Sequence, residues 1–364
     1  MLASVIIERL MLKNLQEEKK LIDSWLLNFL TSKEQEFKQQ ILAKEAFIII
    51  KDFVTSGKTI RGSLFLLASK TVDQKNYETN QVDFLAIASA LELIHSSLLV
   101  HDDIIDQDEM RRGQDSVWQK YTKNALKKDY KNPQNYGQSM AICLGNILNY
   151  LANEALNEVS NLPKTTVDKI RSIIDQEIIK TNFAEMLDSK ITLQNELPLE
   201  NEVLQMYLFK TARYTFSLPL QLAGITNQLN TSEVEKLIDI GEKLGLIFQI
   251  KDDQISIFST ERESGKSFVS DIKEGKKTLL YLTLIKNANQ LERQFINKNL
   301  GDKKINLENI VKVQKLFDKY TSKSFDETIK QLKQETEIQI EGIASKSLAE
   351  LLKKILDFNL NRKF

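Results

Sequence analysis

Leu91 to Gly113 reads LELIHSSLLVHDDIIDQDEMRRG, an apolar run that ends in a burst of carboxylates and a pair of arginines. Asp102, Asp103, Asp106, Asp108 and Glu109 fall within eight residues, and Arg111 and Arg112 follow at once. Asp102 and Asp106 stand four apart, so on a helix they share one face. His95, seven before Asp102, lies on the same stripe two turns earlier. Two carboxylates on one face repel each other unless a cation neutralises them. Hard oxygen ligands of this kind suit Mg²⁺, which keeps several waters and is completed by substrate phosphates. The arginine pair suits bidentate contact with phosphate. Metal ligands beside phosphate ligands point to a diphosphate site.

Taken alone, an acid-then-base cluster at a helix end is most simply a solvated surface with i,i+4 pairs. A second stretch weakens that reading. Leu246 to Ser256, LIFQIKDDQIS, again ends an apolar helical run in paired aspartates, Asp252 and Asp253. Two separate apolar helices that each deliver an aspartate pair are hard to explain as solvated surface.

Composition narrows the classes. Lys and Arg balance Asp and Glu at 50 each, so nothing argues for nucleic acid or an anionic membrane surface as partner. Only 12 Gly and 4 Pro occur, which suits long helices joined by few tight turns. With 42% apolar residues, the 364-residue chain has ample material for one large core. One domain is expected over 1–364, with N-terminal helices at 1–50, a motif-bearing part at 51–280 and C-terminal helices at 281–364. Cys143 is the sole cysteine, which excludes an internal disulfide and suits a reducing, cytoplasmic compartment. Its apolar surroundings, MAICLGNIL, predict core packing. The opening MLASVIIERLML lacks a basic start and is interrupted by Glu8 and Arg9, so no signal peptide is expected. No uncharged apolar run approaches the roughly 18 residues of a spanning helix, so no transmembrane segment is expected.

Outward from the aspartates, the pattern is helical. Residues 1–50 read as one or two amphipathic helices for packing or self-contact. Lys58 and Arg61, three apart, share a face if helical, and Gly57 and Gly62 beside them allow a phosphate to approach closely. Phe84, Leu85, Ala88, Leu91, Ile94, Leu98 and Leu99 follow a 3.6-residue period. Residues 119–137, rich in Lys and Asn, read as a surface loop with at most a short helical turn. Helices are expected over 138–160 and 165–189, and a turn over 192–200. Ser232 with Glu235 reads as a capping box. Residues 256–275 read as a mobile flap, and 276–364 as amphipathic helices without recognisable chemistry. No segment shows a convincing strand period.

Five motifs carry a family resemblance. HDDIIDQDEMRRG and FQIKDD resemble the first and second aspartate-rich motifs of the trans-isoprenyl diphosphate synthases, the polyprenyl synthetases. SDIKEGKKTLL (270–280), GKTIRG (57–62) and KTARYTF (210–216) resemble three more of that family's motifs, and all five stand in its order and at about its spacing. The resemblance implies an all-α, single-domain helical bundle around a central apolar cavity, assembled as a homodimer. It implies condensation of isopentenyl diphosphate with an allylic prenyl diphosphate.

Site residues follow from the same match. Asp102, Asp106 and Asp252 would hold about three Mg²⁺ ions per site, with Asp188 and Asp253 as further metal carboxylates and Asp103 among the catalytic acids. Lys58, Arg61, His95 and Arg112 would bind isopentenyl diphosphate. Arg111, Lys210 and Thr211 would meet the allylic diphosphate, Lys266 and Lys276 would reach the diphosphates when the flap closes, and Phe248 and Gln249 would bind substrate; Lys210 would also assist catalysis. Small Ser97 and its neighbour Leu98 would set the floor of the tail pocket, and the small floor residue implies a product of about C20, geranylgeranyl diphosphate, or longer.

The chain also departs from the family pattern. Gly62 stands where Pro is usual, Asn146 where Asp is frequent, and Ala184 and Glu185 where Gly and Gln are typical. The third acid of the second motif is replaced by Ser256. That loss leaves two rivals, a terpene cyclase and a non-catalytic partner subunit. A cyclase motif would want Glu at Thr260, and Glu261 comes one place late.

Overall fold

A chain with long apolar runs and few glycines or prolines satisfies its backbone most readily as helix. The computed structural model describes residues 2–258 and 270–362, and it is helical almost throughout. The first helices are α1 (Leu2–Glu36), α2 (Ala43–Thr55), α3 (Ile60–Val72), α4 (Gln74–Thr79) and α5 (Gln81–Ile105). A two-stranded hairpin follows, β1 (Met110–Arg111) and β2 (Gln114–Asp115), then α6 (Val117–Lys127), α7 (Pro133–Asn157) and α8 (Lys164–Leu193). α9 (Glu200–Tyr207) runs through a π-helical segment (Leu208–Ser217) into α10 (Leu218–Thr226). α11 (Thr231–Phe258), α12 (Ser270–Glu274), α13 (Leu279–Asn287), α14 (Gln290–Asn299), α15 (Leu307–Glu341) and α16 (Lys346–Asn361) complete the order. The all-α expectation holds; the hairpin is the only sheet among the described residues.

The chain forms two compact units. The N-terminal unit comprises Leu12–Ser172 with Leu222–Leu229, and the C-terminal unit comprises Met1–Met11, Ile173–Gln221 and Asn230–Phe364.

α5 is the centre of the N-terminal unit. It packs against α3 and α7 and is buried on every side, from Phe84 and Ile87 through Leu91 and Leu93 to Val100. The single apolar stripe expected from the sequence is therefore too narrow, because Ser89, Glu92, Ser96 and Ser97 are buried as well. α5 is long and apolar enough to cross a membrane, but 72% of its apolar window is buried inside the protein, as in a core helix. At its start, the fully buried Asp83 accepts from the backbone N–H groups of Ser160 (3.2 Å), Asn161 (2.7 Å) and Leu162 (2.8 Å). That carboxylate fixes the turn between α7 and α8.

Further expectations fail in this unit, each for a local reason. Residues 117–127 are a full helix, whose buried side is Val117, Trp118, Tyr121, Thr122 and Ala125. The lysines and asparagines between them occupy only the solvent face, and they masked a valid helical period. Arg112 (φ 56°) and Gly113 (φ 74°) turn the hairpin; two successive left-handed residues are what a two-residue hairpin loop requires. Cys143 is exposed rather than packed, because α7 buries the adjacent Ala141, Leu144 and Gly145 instead.

In the C-terminal unit α11 plays the central role. Gly241 and Gly245, one turn apart, let the π-helical segment lie against it. A Cβ at Gly245 would sit 2.5 Å from Ala212 Cβ and 2.8 Å from its carbonyl oxygen, and one at Gly241 would sit 2.5 Å from Ser217 Cα. α16 also docks on α11, where the buried Asn359 side chain donates to the Leu244 carbonyl at 3.0 Å. The cap of α11 differs from the expected Ser232–Glu235 box. Asn230 accepts from Glu233 N–H at 3.0 Å, two residues earlier.

Gly245→Ala tests this contact. In an exposed helix that change stabilises by about 1 kcal/mol. Here it is expected to destabilise by about 1–3 kcal/mol, because the methyl meets backbone that cannot yield. Denaturant unfolding of the two proteins gives the sign.

Candidate active site

In the N-terminal unit the acids stand at the C-terminal end of α5. Asp106 closes the helix, and its N–H donates to the Asp102 carbonyl at 2.8 Å, so the two carboxylates come from successive turns as the four-residue spacing predicts. Asp103 points the other way and is fully buried. Arg111, carried back by the hairpin, binds all three neighbouring acids. It donates to Asp103 through Nε at 2.5 Å, and through Nη2 to Asp102 at 3.2 Å and Asp108 at 3.4 Å. Burial pushes the Asp103 carboxyl up to about 7, against the pull of Arg111. Trp118 Nε1 donates to the Asp103 (3.1 Å) and Asp108 (2.8 Å) carbonyls and holds the turn between them. Asp103 is thus a brace for Arg111, while Asp102 and Asp106 keep partly exposed carboxylates.

Two turns back on α5 lies a basic cluster. Burial and then the nearby Arg61, Arg112 and Arg111 guanidiniums hold the His95 imidazole well below its usual range. It is therefore neutral at pH 7 amid three positive charges. Arg112 donates to the Phe53 carbonyl and to Ser56 Oγ, both at 3.0 Å, and lies over the Phe53 ring. Gly57 makes room for it, since a Cβ there would meet the guanidinium at 2.8 Å. Lys58 and Arg61 do not share a helical face. Thr59 is left-handed (φ 53°) and α3 starts only at Ile60, so Lys58 is exposed in the turn and Arg61 is buried in the helix. Gly62 does more than relax the backbone. Its N–H donates to the buried Glu92 carboxylate at 2.7 Å, a bond that Pro could not make. Ser97, also buried, donates to the Gly145 carbonyl at 2.8 Å, so it faces α7, while Leu98 is partly exposed.

In the C-terminal unit the π-helical segment presents Lys210 and Thr211. Lys210 Nζ donates to Asp188 at 2.5 Å and to Glu185 at 3.0 Å, and Lys276 Nζ lies 3.4 Å from Asp188. Burial raises the Asp188 carboxyl, but the two lysines outweigh it and leave it lowered, so it is ionised. Glu185, where Gln was expected, thereby has a partner of its own.

The second aspartate pair divides its roles. Asp253 is buried; Tyr207 Oη donates to one oxygen and Gln249 Nε2 to the other at 2.8 Å. Tyr207 also accepts from Leu279 N–H at 3.1 Å, which links α11 to the start of α13. Asp253 and Gln249 are thus held by partners within their own unit. Phe248 is likewise buried, against Phe216. Asp252 remains partly exposed and is paired with Arg362. Sequence reasoning missed Arg362, Tyr207 and Glu92, none of which sits in a recognisable motif. Lys266, Thr260 and Glu261, and most of the expected flap, lie outside the described residues.

Among the described residues no three His, Cys, Asp or Glu side chains are arranged to hold a metal by themselves. Mg²⁺ is commonly held by one or two carboxylates, with water and substrate phosphates completing its shell. Asp102 with Asp106, and Asp252, are carboxylates of the kind that fit such an ion.

Comparison with known proteins agrees with the motifs. The polyprenyl synthetase family profile matches residues 44–318. The chain is 31% identical over 318 residues to the geranylgeranyl diphosphate synthase of Saccharolobus solfataricus, covering 85% of this chain and 88% of the relative. It is 32% identical over 320 residues to a short chain isoprenyl diphosphate synthase of Methanothermobacter thermautotrophicus, covering 84% and 87%. Its fold matches the crystal structure of a Corynebacterium glutamicum geranylgeranyl pyrophosphate synthase complexed with isoprenyl diphosphate and magnesium, with a TM-score of 0.88 and 22% identity over 96% of this chain and 99% of that one.

Arg111→Ala would leave Asp103 buried without its counter-charge. It is expected to cost about 3–5 kcal/mol of stability, and adding Asp103→Asn should return part of it. Chemical denaturation of the single and double variants measures both.

Proposed function

The chain belongs to the polyprenyl synthetase family and is a prenyl-transferring enzyme, and from that premise we propose a Mg²⁺-dependent condensation of isopentenyl diphosphate with an allylic diphosphate, giving an all-trans polyprenyl diphosphate of about C20 or longer. One observation carries the reading: at one end of α5, two partly exposed carboxylates stand above three guanidiniums gathered at a neutral histidine. Such a site suits two anionic substrates, one of which comes with its cations.

Asp102, Asp106 and Asp252 would hold the Mg²⁺. When bound, Mg²⁺ supplies positive charge against the pyrophosphate leaving group. Arg111, Lys210 and Lys276 donate to the allylic diphosphate once it displaces their resting carboxylates. The allylic C–O bond breaks, and its electron pair leaves with pyrophosphate. Lys58, Arg61 and Arg112 hold isopentenyl diphosphate, whose alkene attacks the allylic carbon. His95, neutral among these cations, serves as a hydrogen-bonding group. The new cation then loses a proton, and the released pyrophosphate is a sufficient base. No Ser/His or Cys/His arrangement is needed.

The length assignment is supported by the small Ser97 and by the geranylgeranyl diphosphate synthase among the relatives. A homodimer is supported by the exposed apolar stripe Ile179, Phe183 and Met186 on α8. The lone exposed Cys143 supports a reducing, cytoplasmic setting.

Incubation with isopentenyl diphosphate and dimethylallyl, geranyl, farnesyl or geranylgeranyl diphosphate tests the proposal. Linear products of about C20 or longer are expected with Mg²⁺ and none with a chelator; cyclic products, or inactivity of the chain alone, would bring back the cyclase or partner-subunit reading. Asp102→Asn is expected to lower kcat/KM by about a hundredfold or more. Ser97→Phe is expected to shorten the product, and unchanged length would place the floor elsewhere.

A further inference from the structure

Arg362 lies just past the end of α16, in a stretch whose sequence carries no motif. Its position follows from helix register. Asn359 is fixed on the Leu244 carbonyl of α11, and Phe248 and Asp252 follow Leu244 at one-turn intervals on the same stripe. Three residues beyond Asn359, the Arg362 guanidinium lies over the Phe248 ring, 3.8 Å from its centroid, and its Nη2 is 2.8 Å from Asp252 Oδ1. The side chain is only 9% exposed, whereas that of Asp252 is 30% exposed. Nη1 is buried and has no hydrogen-bond partner.

A buried guanidinium nitrogen without an acceptor is a costly feature to maintain. It marks a place where an acceptor belongs. Arginine cannot relieve the cost by losing its proton. Phe248 holds the guanidinium plane independently of Asp252, so the group would keep its place if the carboxylate turned to another cation.

We propose that Arg362 is the resident counter-cation of Asp252, and that it exchanges this carboxylate for a diphosphate oxygen when substrate arrives with its divalent cation. The proposal rests on the reading of Asp252 as a metal-binding carboxylate. In the resting protein Arg362 neutralises Asp252 and competes with a free metal ion. With diphosphate present, the planar fork gains an oxygen acceptor for each nitrogen. Arg362 is thus a substrate-positioning residue that also makes metal binding depend on diphosphate.

Two binding measurements without turnover test it: Mn²⁺ affinity by electron paramagnetic resonance in the absence of pyrophosphate, and pyrophosphate affinity by calorimetry at saturating Mg²⁺. In Arg362→Ala, metal alone is expected to bind several-fold more tightly and pyrophosphate about tenfold more weakly. Arg362→Lys should restore the first effect and only part of the second, because it keeps the charge and loses the fork. No change in either affinity, or a parallel loss of both with a lower melting temperature, would overturn the proposal and leave a structural ion pair. Asp252→Asn separates the premises. If metal binding in the presence of pyrophosphate is unchanged in that variant, the reading of Asp252 itself fails. If it weakens while Arg362→Ala is silent, only the exchange fails.

Discussion

A carboxylate removed from water must be matched by a cation or give up its charge, and this constraint organises the candidate residues of each unit. Each set of acids is matched inside its own unit. Arg111 serves Asp102, Asp103 and Asp108; Lys210 and Lys276 serve Asp188; Arg362 serves Asp252. Within each unit the acids are therefore neutralised by the chain's own cations. The same cations are the groups suited to a diphosphate. On the proposed reading, binding of substrate is an exchange of partners, with metal taking the carboxylates and phosphate oxygens taking the arginines and lysines.

The two scaffolds use different means to the same end. α5 is buried all round, so the acids at its end are carried on a core helix, braced by Trp118 and the hairpin. α11 depends on close approach. Gly241 and Gly245 admit the π-helical segment that bears Lys210, and Tyr207, at its edge, reaches back to Asp253. π-Helical turns are rare and concentrate at functional sites. Here the wide turn and the two glycines belong to one packing solution, which is why the helix that carries Asp252 cannot shift without disturbing Lys210.

Much of this could be read from sequence, and the reasons are specific. The spacing of Asp102 and Asp106 survives because a helical hydrogen bond fixes it. The scarcity of glycine and proline foretold long helices. What stayed hidden was the division of labour within each pair. Asp103 and Asp253 look like their neighbours on paper, and only the structure shows that they are buried while Asp102, Asp106 and Asp252 stay partly exposed. The helix 117–127 was obscured by lysines on its solvent face. The hairpin turn depended on a left-handed Arg112, a conformation that few would assign to arginine. Arg362 had no local signal at all, because its role arises from the register of one helix against another.

The central claim is that metal and diphosphate bind as a unit, since the resting acids already have partners. Calorimetric titration of the purified protein with Mg²⁺, with and without inorganic pyrophosphate, tests it most directly. The account predicts weak Mg²⁺ binding alone and binding at least about tenfold tighter with pyrophosphate, with the same factor recovered when pyrophosphate is titrated with and without Mg²⁺. Tight Mg²⁺ binding that pyrophosphate leaves unchanged would contradict it.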